Sequence, residues 1–367
     1  MSTIPPQAPA GDHAPLLSVR DLKVQFDSPA GTITAVDGVS FDLEAGRALG
    51  VVGESGSGKT VLSRVIMNLL TVGNKLPEEG EVLFRGQNML AMRRKQLRKL
   101  WGDDLAMVFQ DPMTSLNPTM KIGPQVTEPL FLHRKISRKA ARTRAEELLR
   151  EVGIPEPARR LNQFPHELSG GMRQRVTIAI AIACDPVLLI ADEPTTALDV
   201  TVQAQILDLL DRERTDRHMG LILISHDLGV VEGRTDDVNV MYAGRVVESA
   251  PTASVFKQPR HPYTESLIGS MPSIEDASHT RLAAIPGQPP HPLNRPTGCK
   301  YAPRCQYAQQ RCLDEDPVLM PPTDQEGDRG TACFFPPGTD RGEDALARNR
   351  SAGRTATGLE LQPAEVS

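Results

Sequence analysis

No apolar run in this 367-residue chain approaches the length needed to cross a bilayer, and runs such as "VLLIA" and "LILI" are the size of β-strands. The opening "MSTIPPQAPAGDHAPLL" has neither the basic n-region nor the apolar h-region of a secretory signal, which predicts a cytosolic chain. Its 41 basic and 46 acidic residues, a formal net charge of -5, form neither a basic stripe nor a polyanionic tail. The electrostatic footprint of a nucleic-acid binder is therefore missing, and no nucleic-acid partner is expected. No repeat at a solenoid or propeller period and no sustained heptad pattern is visible. Cysteine is scarce, but its placement is not even: of five, three lie in "GCKYAPRCQYAQQRC" (Cys299, Cys305, Cys312) and a fourth is Cys333. Disulfides rarely persist in the cytosol, so this clustering points to metal or cluster binding. Cys184, in the apolar "AIAIACDP", reads as a small buried hydrophobe.

What is present is the pattern of an α/β protein. Leu22, Val24 and Phe26, then Val39, Phe41 and Leu43, then Val82 and Phe84 alternate as half-buried, antiparallel strands do. "ALGVVG", "LAMVF", "VLLIAD" and "LILISH" are instead continuously apolar, as strands covered by helices on both faces must be. Ser137 can cap a helix presenting Leu148, Leu149 and Val152, and Val202, Ile206, Leu209 and Leu210 form another helical stripe. The expected architecture is a P-loop nucleotide-binding core over residues 16–255, with an antiparallel β-subdomain and a helical subdomain inserted at about 111–183. Fifteen of the 31 prolines fall between Pro251 and Pro337, which argues against long helices and predicts a loop-rich C-terminal region over 256–336. Residues 1–15 and 337–367 are polar and poor in large apolar groups, and both are expected to be disordered.

The phosphate chemistry starts at "GESGSGKT", which fits G-x-x-x-x-G-K-[ST] and follows an apolar strand. Gly53, Gly56 and Gly58, with Glu54, Ser55 and Ser57 between them, would curl backbone N–H groups around phosphate oxygens. Lys59 would reach the β- and γ-phosphates of ATP, and the Thr60 hydroxyl would ligate Mg²⁺. "VLLIADE" delivers two acids to a strand end: Asp192 for the Mg²⁺ shell, Glu193 to orient or deprotonate the attacking water. "ELSGGMRQR" then offers a second serine–glycine helix start, Ser169, Gly170 and Gly171, with no lysine or Mg²⁺ ligand of its own. Gln110 and His226 each end an apolar strand where a polar group can face a γ-phosphate, and Gln110 is also a candidate in the Mg²⁺ shell.

In this order the motifs resemble the ATP-binding subunits of ABC transporters over about residues 16–250: "GESGSGKT" is similar to the Walker A loop and Gln110 to the Q-loop. "LSGGM" resembles the signature, "LLIADE" the Walker B strand, "ALD" at 197–199 the D-loop and His226 the switch histidine. Phe26 is similar in position to the aromatic residue that stacks on adenine in that family. "FQDPMTSLNP", "HPYTESL" and the late cysteine segment resemble, more closely, the oligopeptide and dipeptide importer branch. Met172 stands where most of the superfamily has glutamine, a variation familiar in that branch. The resemblance implies an ATPase that forms a nucleotide sandwich with a second, similar subunit, as a heterodimer, at the cytoplasmic face of the membrane. Two permease subunits and, indirectly, a solute-binding protein would complete the system. Nickel or glutathione are alternative solutes, and a soluble ABC ATPase without a transport role is the alternative class. The same resemblance implies that Cys299, Cys305, Cys312 and Cys333 ligate one [4Fe-4S] cluster; their C-x₅-C-x₆-C-x₂₀-C spacing is a soft tetrahedral set that Zn²⁺ would also suit.

Overall fold

The computed structural model describes residues 14–70, 79–111, 115–196, 198–271, 285–320 and 329–361. Two sheets organise it. Strands β1 (Leu17–Ser28), β2 (Gly31–Leu43), β4 (Glu79–Phe84) and β5 (Gln87–Asn88) form an antiparallel sheet in the order β2-β1-β4-β5. The second sheet has the order β11-β10-β9-β3-β8-β7-β6, built from β3 (Ala48–Val52), β6 (Leu105–Val108), β7 (Leu188–Asp192), β8 (Gly220–Ser225), β9 (Asp237–Tyr242), β10 (Arg245–Pro251) and β11 (Gly330–Thr331). Its central pairs, from β9 through β3, β8 and β7 to β6, are parallel, and β10 and β11 extend it antiparallel.

The continuously apolar strands occupy the middle because both their faces are covered. Leu189, Ala191, Leu221 and Leu223 enter one core, while Leu188, Ile190, Ile222 and Ile224 enter the other. Side chains alternate across a strand, so one run of hydrophobic residues supplies two cores at once. The first core lies under helices Ile122–His133, Arg138–Glu151 and Gly170–Ala181, which lie between β6 and β7 in the chain. The second is closed by the antiparallel sheet and by helix Lys59–Ile66. Ser137 caps its helix as expected, its Oγ accepting from Ala140 N at 3.2 Å, and Leu148, Leu149 and Val152 are buried. Cys184 is also buried, beside the first core. Among the described residues no helix is long and apolar enough to cross a membrane.

The C-terminal region is carried on the sheet's far edge. β11 pairs with β10 through Glu248–Thr331 and Ser249–Gly330, and Ala332 N donates to Val247 O at 2.8 Å, which brings Cys333 to the sheet. Tyr242, Tyr263 and Tyr301, three of the chain's four tyrosines, pack with ring centroids 4.6 to 5.4 Å apart and weld β9 to this region.

Two sequence expectations fall at the ends. Of residues 1–15, the first thirteen lie outside the described residues, and β1 starts soon after, at Leu17. The expected disorder over 337–367 is corrected for the described part of that stretch: a helix spans Asp340–Ala352, capped by Thr339 Oγ1, which accepts from Gly342 N at 3.1 Å. Composition misled because this helix docks through small and polar groups. Ala345 and Leu346 are buried, and Asn349 Nδ2 donates to Gln306 O at 2.8 Å and Ala308 O at 3.1 Å. Asn349→Ala leaves those carbonyls without their donor and should cost about 1–3 kcal/mol. In limited proteolysis, trypsin cleavage at Arg348 and Arg350 should be slow in the parent and fast in the variant; equally fast cleavage of both would contradict the docking.

Candidate functional site

The loop after β3 can turn as it does only with glycine at two points. Gly53 has φ +155°, and a Cβ there would stand 2.1 Å from Met241 O; Gly58 has φ +103°, and a Cβ would stand 2.3 Å from Ala35 O. The chain then enters helix Lys59–Ile66, whose N-terminal end faces the loop. Lys59 is buried and folds back over the loop, its Nζ donating to Gly53 O at 2.6 Å and Glu54 O at 3.0 Å. Burial pulls its pKa below the usual lysine value, and Glu193, Asp192 and Glu54 oppose that shift.

Thr60 Oγ1 donates to Asp192 Oδ1 at 3.3 Å and Ser63 Oγ to Oδ2 at 3.2 Å. A hydroxyl and a buried carboxylate thus face each other where a Mg²⁺ shell needs oxygens. Burial pushes the Asp192 pKa up, against the Ser63 and Thr60 hydrogen bonds, so a bound cation would favour the ionised form.

Glu193 sits one residue past the strand with φ +48°, a left-handed conformation that a non-glycine residue rarely adopts. Three groups converge on one of its carboxylate oxygens: Gln110 Nε2 at 2.9 Å, Thr196 Oγ1 at 2.9 Å and His226 Nδ1 at 3.3 Å from Oε2. Gln110 and His226, 116 residues apart in sequence, therefore meet at the proposed base. The arrangement can aim a carboxylate at a water beside the last phosphate.

A cleft of about 670 Å³ joins these parts. Ser55, Gly56, Gly58, Lys59, Thr60, Gln110 and Glu193 line it, and Ile33, Thr34, Ala35, Pro292 and Arg295 close its other end. Phe26, expected at the adenine, is not in that lining; it pairs with Ile33 across the β1–β2 ladder and packs against the second core. Ser169, Gly170 and Gly171 are also outside the cleft. Ser169 caps helix Gly170–Ala181, its Oγ accepting from Met172 N at 3.3 Å. Of the D-loop residues, Ala197 lies outside the described residues, and Asp199 caps helix Val200–Arg217, accepting from Val202 N at 2.9 Å.

Residues that motif reading missed come from the C-terminal region. Arg295 and Pro292 reach the cleft, and Tyr263 and Arg304 contact Glu54. Tyr263 and Arg304 lie inside "HPYTESL" and "APRC", but no spacing rule links position 304 to position 54.

Cys299, Cys305, Cys312 and Cys333 line one pocket together with His261, Tyr301, Tyr307, Phe334 and Phe335. All are free thiols. Burial pushes the Cys299 thiol up to about 11 and raises the other three as well. Backbone N–H groups are aimed at the sulfurs and work the other way: Tyr301 and Ala302 at Cys299, Tyr307 at Cys305, Phe335 at Cys333. Among the described residues no three His, Cys, Asp or Glu side chains are grouped so as to hold a metal ion. That grouping is what a [4Fe-4S] cluster and a Zn²⁺ site alike require, so the geometry of the described residues shows neither.

With this geometry in place, comparison with known proteins gives a consistent answer. Residues 36–196 match the ABC transporter family, and residues 247–312 match the oligopeptide/dipeptide transporter C-terminal region. The oligopeptide transport ATP-binding protein OppD of Bacillus subtilis (strain 168) is 50% identical over 309 residues, covering 84% of this chain and 86% of that protein. A provisionally named peptide import ATP-binding protein of Brucella abortus (strain 2308) is 48% identical over 320 residues, 87% of this chain and 95% of its own length. Among solved structures, a dimeric ATP-binding cassette in a post-hydrolysis state with ADP and Pi superposes with a TM-score of 0.59 at 27% identity, covering 64% of this chain and 98% of that one. The phosphate loop, the paired strand-end acids and this degree of likeness together make the chain a member of the ATP-binding subunits of ABC transporters, in the branch with the oligopeptide/dipeptide transporter C-terminal region.

Proposed function

We propose that this ATPase powers peptide import, as a nucleotide-sandwich dimer with a second, similar subunit docked on two membrane permeases served by a solute-binding protein. It would act as a peripheral protein on the cytoplasmic face of the membrane. The observation that carries the reading is the separation of the two phosphate-suited sites. Ser169, Gly170 and Gly171 stand at a helix N-terminus outside the cleft of their own phosphate loop, so they suit a nucleotide held by another subunit. Exposed apolar side chains fit docking over a soluble existence: Phe131 and Leu132 are 48% and 72% exposed at the end of helix Ile122–His133. Peptide is favoured over nickel or glutathione by the named relatives, which carry peptide transport in their names.

In this reading Lys59 leaves Gly53 O and Glu54 O for the β- and γ-phosphates, Thr60 and Asp192 hold the Mg²⁺ shell with Gln110, and Glu193 orients the water. Gln110 and His226 hold the carboxylate and sense the γ-phosphate. Phe26 is retained only as the cross-strand neighbour of Ile33, which lines the cleft.

We assign the late cysteines to one [4Fe-4S] cluster. Support comes from the four cysteines lining one pocket and from N–H donors aimed at their sulfurs, the hydrogen bonds by which a protein tunes such a cluster. The cluster would supply a cross-link for a proline-rich segment with few large apolar residues.

Three outcomes test this. Lys59→Ala should abolish nucleotide binding or turnover, whereas Glu193→Gln should keep binding and lose about 10²–10⁴-fold in rate; equal loss of binding in both would make Glu193 structural. Ser169→Arg in this chain should impair hydrolysis at the site whose phosphate loop belongs to the partner, and full activity from a strictly monomeric preparation would contradict the shared site. Anaerobically purified protein should be brown, with bound iron and sulfide, and lose its colour on substitution of Cys299, Cys305, Cys312 or Cys333 but not Cys184. Colourless protein with stoichiometric zinc would replace the cluster by a zinc site.

A further inference from the structure

Glu54, the second residue of the phosphate loop, is held at both its backbone and its side chain by the C-terminal region. Its N–H donates to Tyr263 Oη at 2.7 Å. Its carboxylate takes both terminal nitrogens of Arg304, Nη1 to Oε2 at 2.7 Å and Nη2 to Oε1 at 3.0 Å. Arg304 is fixed in turn: Nε donates to Pro286 O at 2.7 Å, and Nη1 also donates to Tyr242 Oη at 3.3 Å. Its guanidinium stands 5.8 Å from the Tyr242 ring centroid and 5.9 Å from that of Tyr301. The Arg304 side chain is 4% exposed and that of Glu54 27%. A two-pronged pair with so little freedom differs from a surface ion pair, which water and side-chain motion weaken.

The loop has reason to need such a hold. Gly53, Gly56 and Gly58 all have positive φ, and glycines are the residues least able to keep a loop in one shape. The phosphate donors must nevertheless point inward before nucleotide arrives, because ordering them at that moment would subtract from affinity. Glu54 lies between the strand and those donors, where a fixed residue sets the direction of the rest.

We propose that Arg304, acting through Glu54 together with Tyr263, is a positioning residue of the nucleotide site that holds the phosphate loop in its binding shape. Arg304 belongs to the matched C-terminal region, residues 247–312, and lies outside the matched ATP-binding region, residues 36–196. The inference rests on Gly53–Thr60 being the phosphate loop.

The test is equilibrium titration of the full-length chain with a fluorescent ATP analogue and Mg²⁺, with thermal melting measured on each variant. Arg304→Ala and Glu54→Gln should each weaken binding about ten-fold, the scale of a charged hydrogen-bonded pair. The double variant should bind no more weakly than the worse single one, since both remove one interaction. Arg304→Lys, which keeps the charge but not the fork, should recover only part of the loss. Wild-type affinity in folded Arg304→Ala, with only a lowered melting temperature, would overturn the proposal, as would additive losses in the double variant. If Arg304→Ala does not fold, Tyr263→Phe removes only the hydroxyl that accepts from Glu54; weaker binding supports the proposal and unchanged binding overturns it. Lys59→Ala separates the two assignments: if it binds normally, the phosphate loop itself is misassigned, and if it alone loses binding, only the role of Arg304 fails.

Discussion

A buried ammonium cannot be left without oxygen partners, and Lys59 meets that requirement by folding onto the carbonyls of Gly53 and Glu54. Much of the nucleotide site depends on this contact. It keeps the loop closed around the position that phosphate oxygens would take, and those oxygens can replace the two carbonyls without leaving the charge bare. The backbone walls make the fit tight: Met241 O and Ala35 O stand where side chains at Gly53 and Gly58 would have to go. β9 and β2, far apart in the chain, therefore shape the loop as much as its own glycines do.

The hydrolytic corner is built on the same logic of imposed geometry. The left-handed backbone at Glu193 is sustained by its N–H bond to Ile224 O at 3.0 Å, a link to the neighbouring strand β8. β8 also leads to His226, and β6 leads to Gln110, so parallel pairing of β6, β7 and β8 brings three polar residues to one sheet edge. The serine and glycines at 169–171 stay off this edge and do not line the cleft.

The C-terminal region is part of the same machine. The turn Ala302–Arg304 runs between Tyr301 and Cys305, which line the cysteine pocket, while Arg304 reaches Glu54. Buried Glu248 accepts from Arg260 N and His261 N at 2.9 Å each and ties the start of this region to β10. Order in the cysteine pocket and order in the phosphate loop are thus linked through a few short, buried contacts. The tail helix adds to this by holding Gln306 and Ala308 through Asn349.

Motifs set by local geometry were legible in the sequence. A phosphate loop needs glycines and a lysine at fixed spacing, a buried parallel strand needs an unbroken apolar run, and a strand-end acid pair stands out because such a run precedes it and a phosphate loop accompanies it. Ser137 as a helix cap belongs to this class, because the bond closes within three residues. The sequence alone did not reveal the order of the tail, because Asp340–Ala352 is stabilised by a polar side chain meeting distant carbonyls and not by a wide apolar stripe. Nor did it place Ile33 in the cleft lining in place of its cross-strand partner Phe26, since which residues of β1 and β2 reach the loop depends on how the antiparallel sheet packs. The bond from residue 304 to residue 54 was hidden for the same reason: sequence determines what lies within a few residues of each group, while contacts across 250 residues exist only once two sheets and three buried tyrosines have fixed where the chain returns.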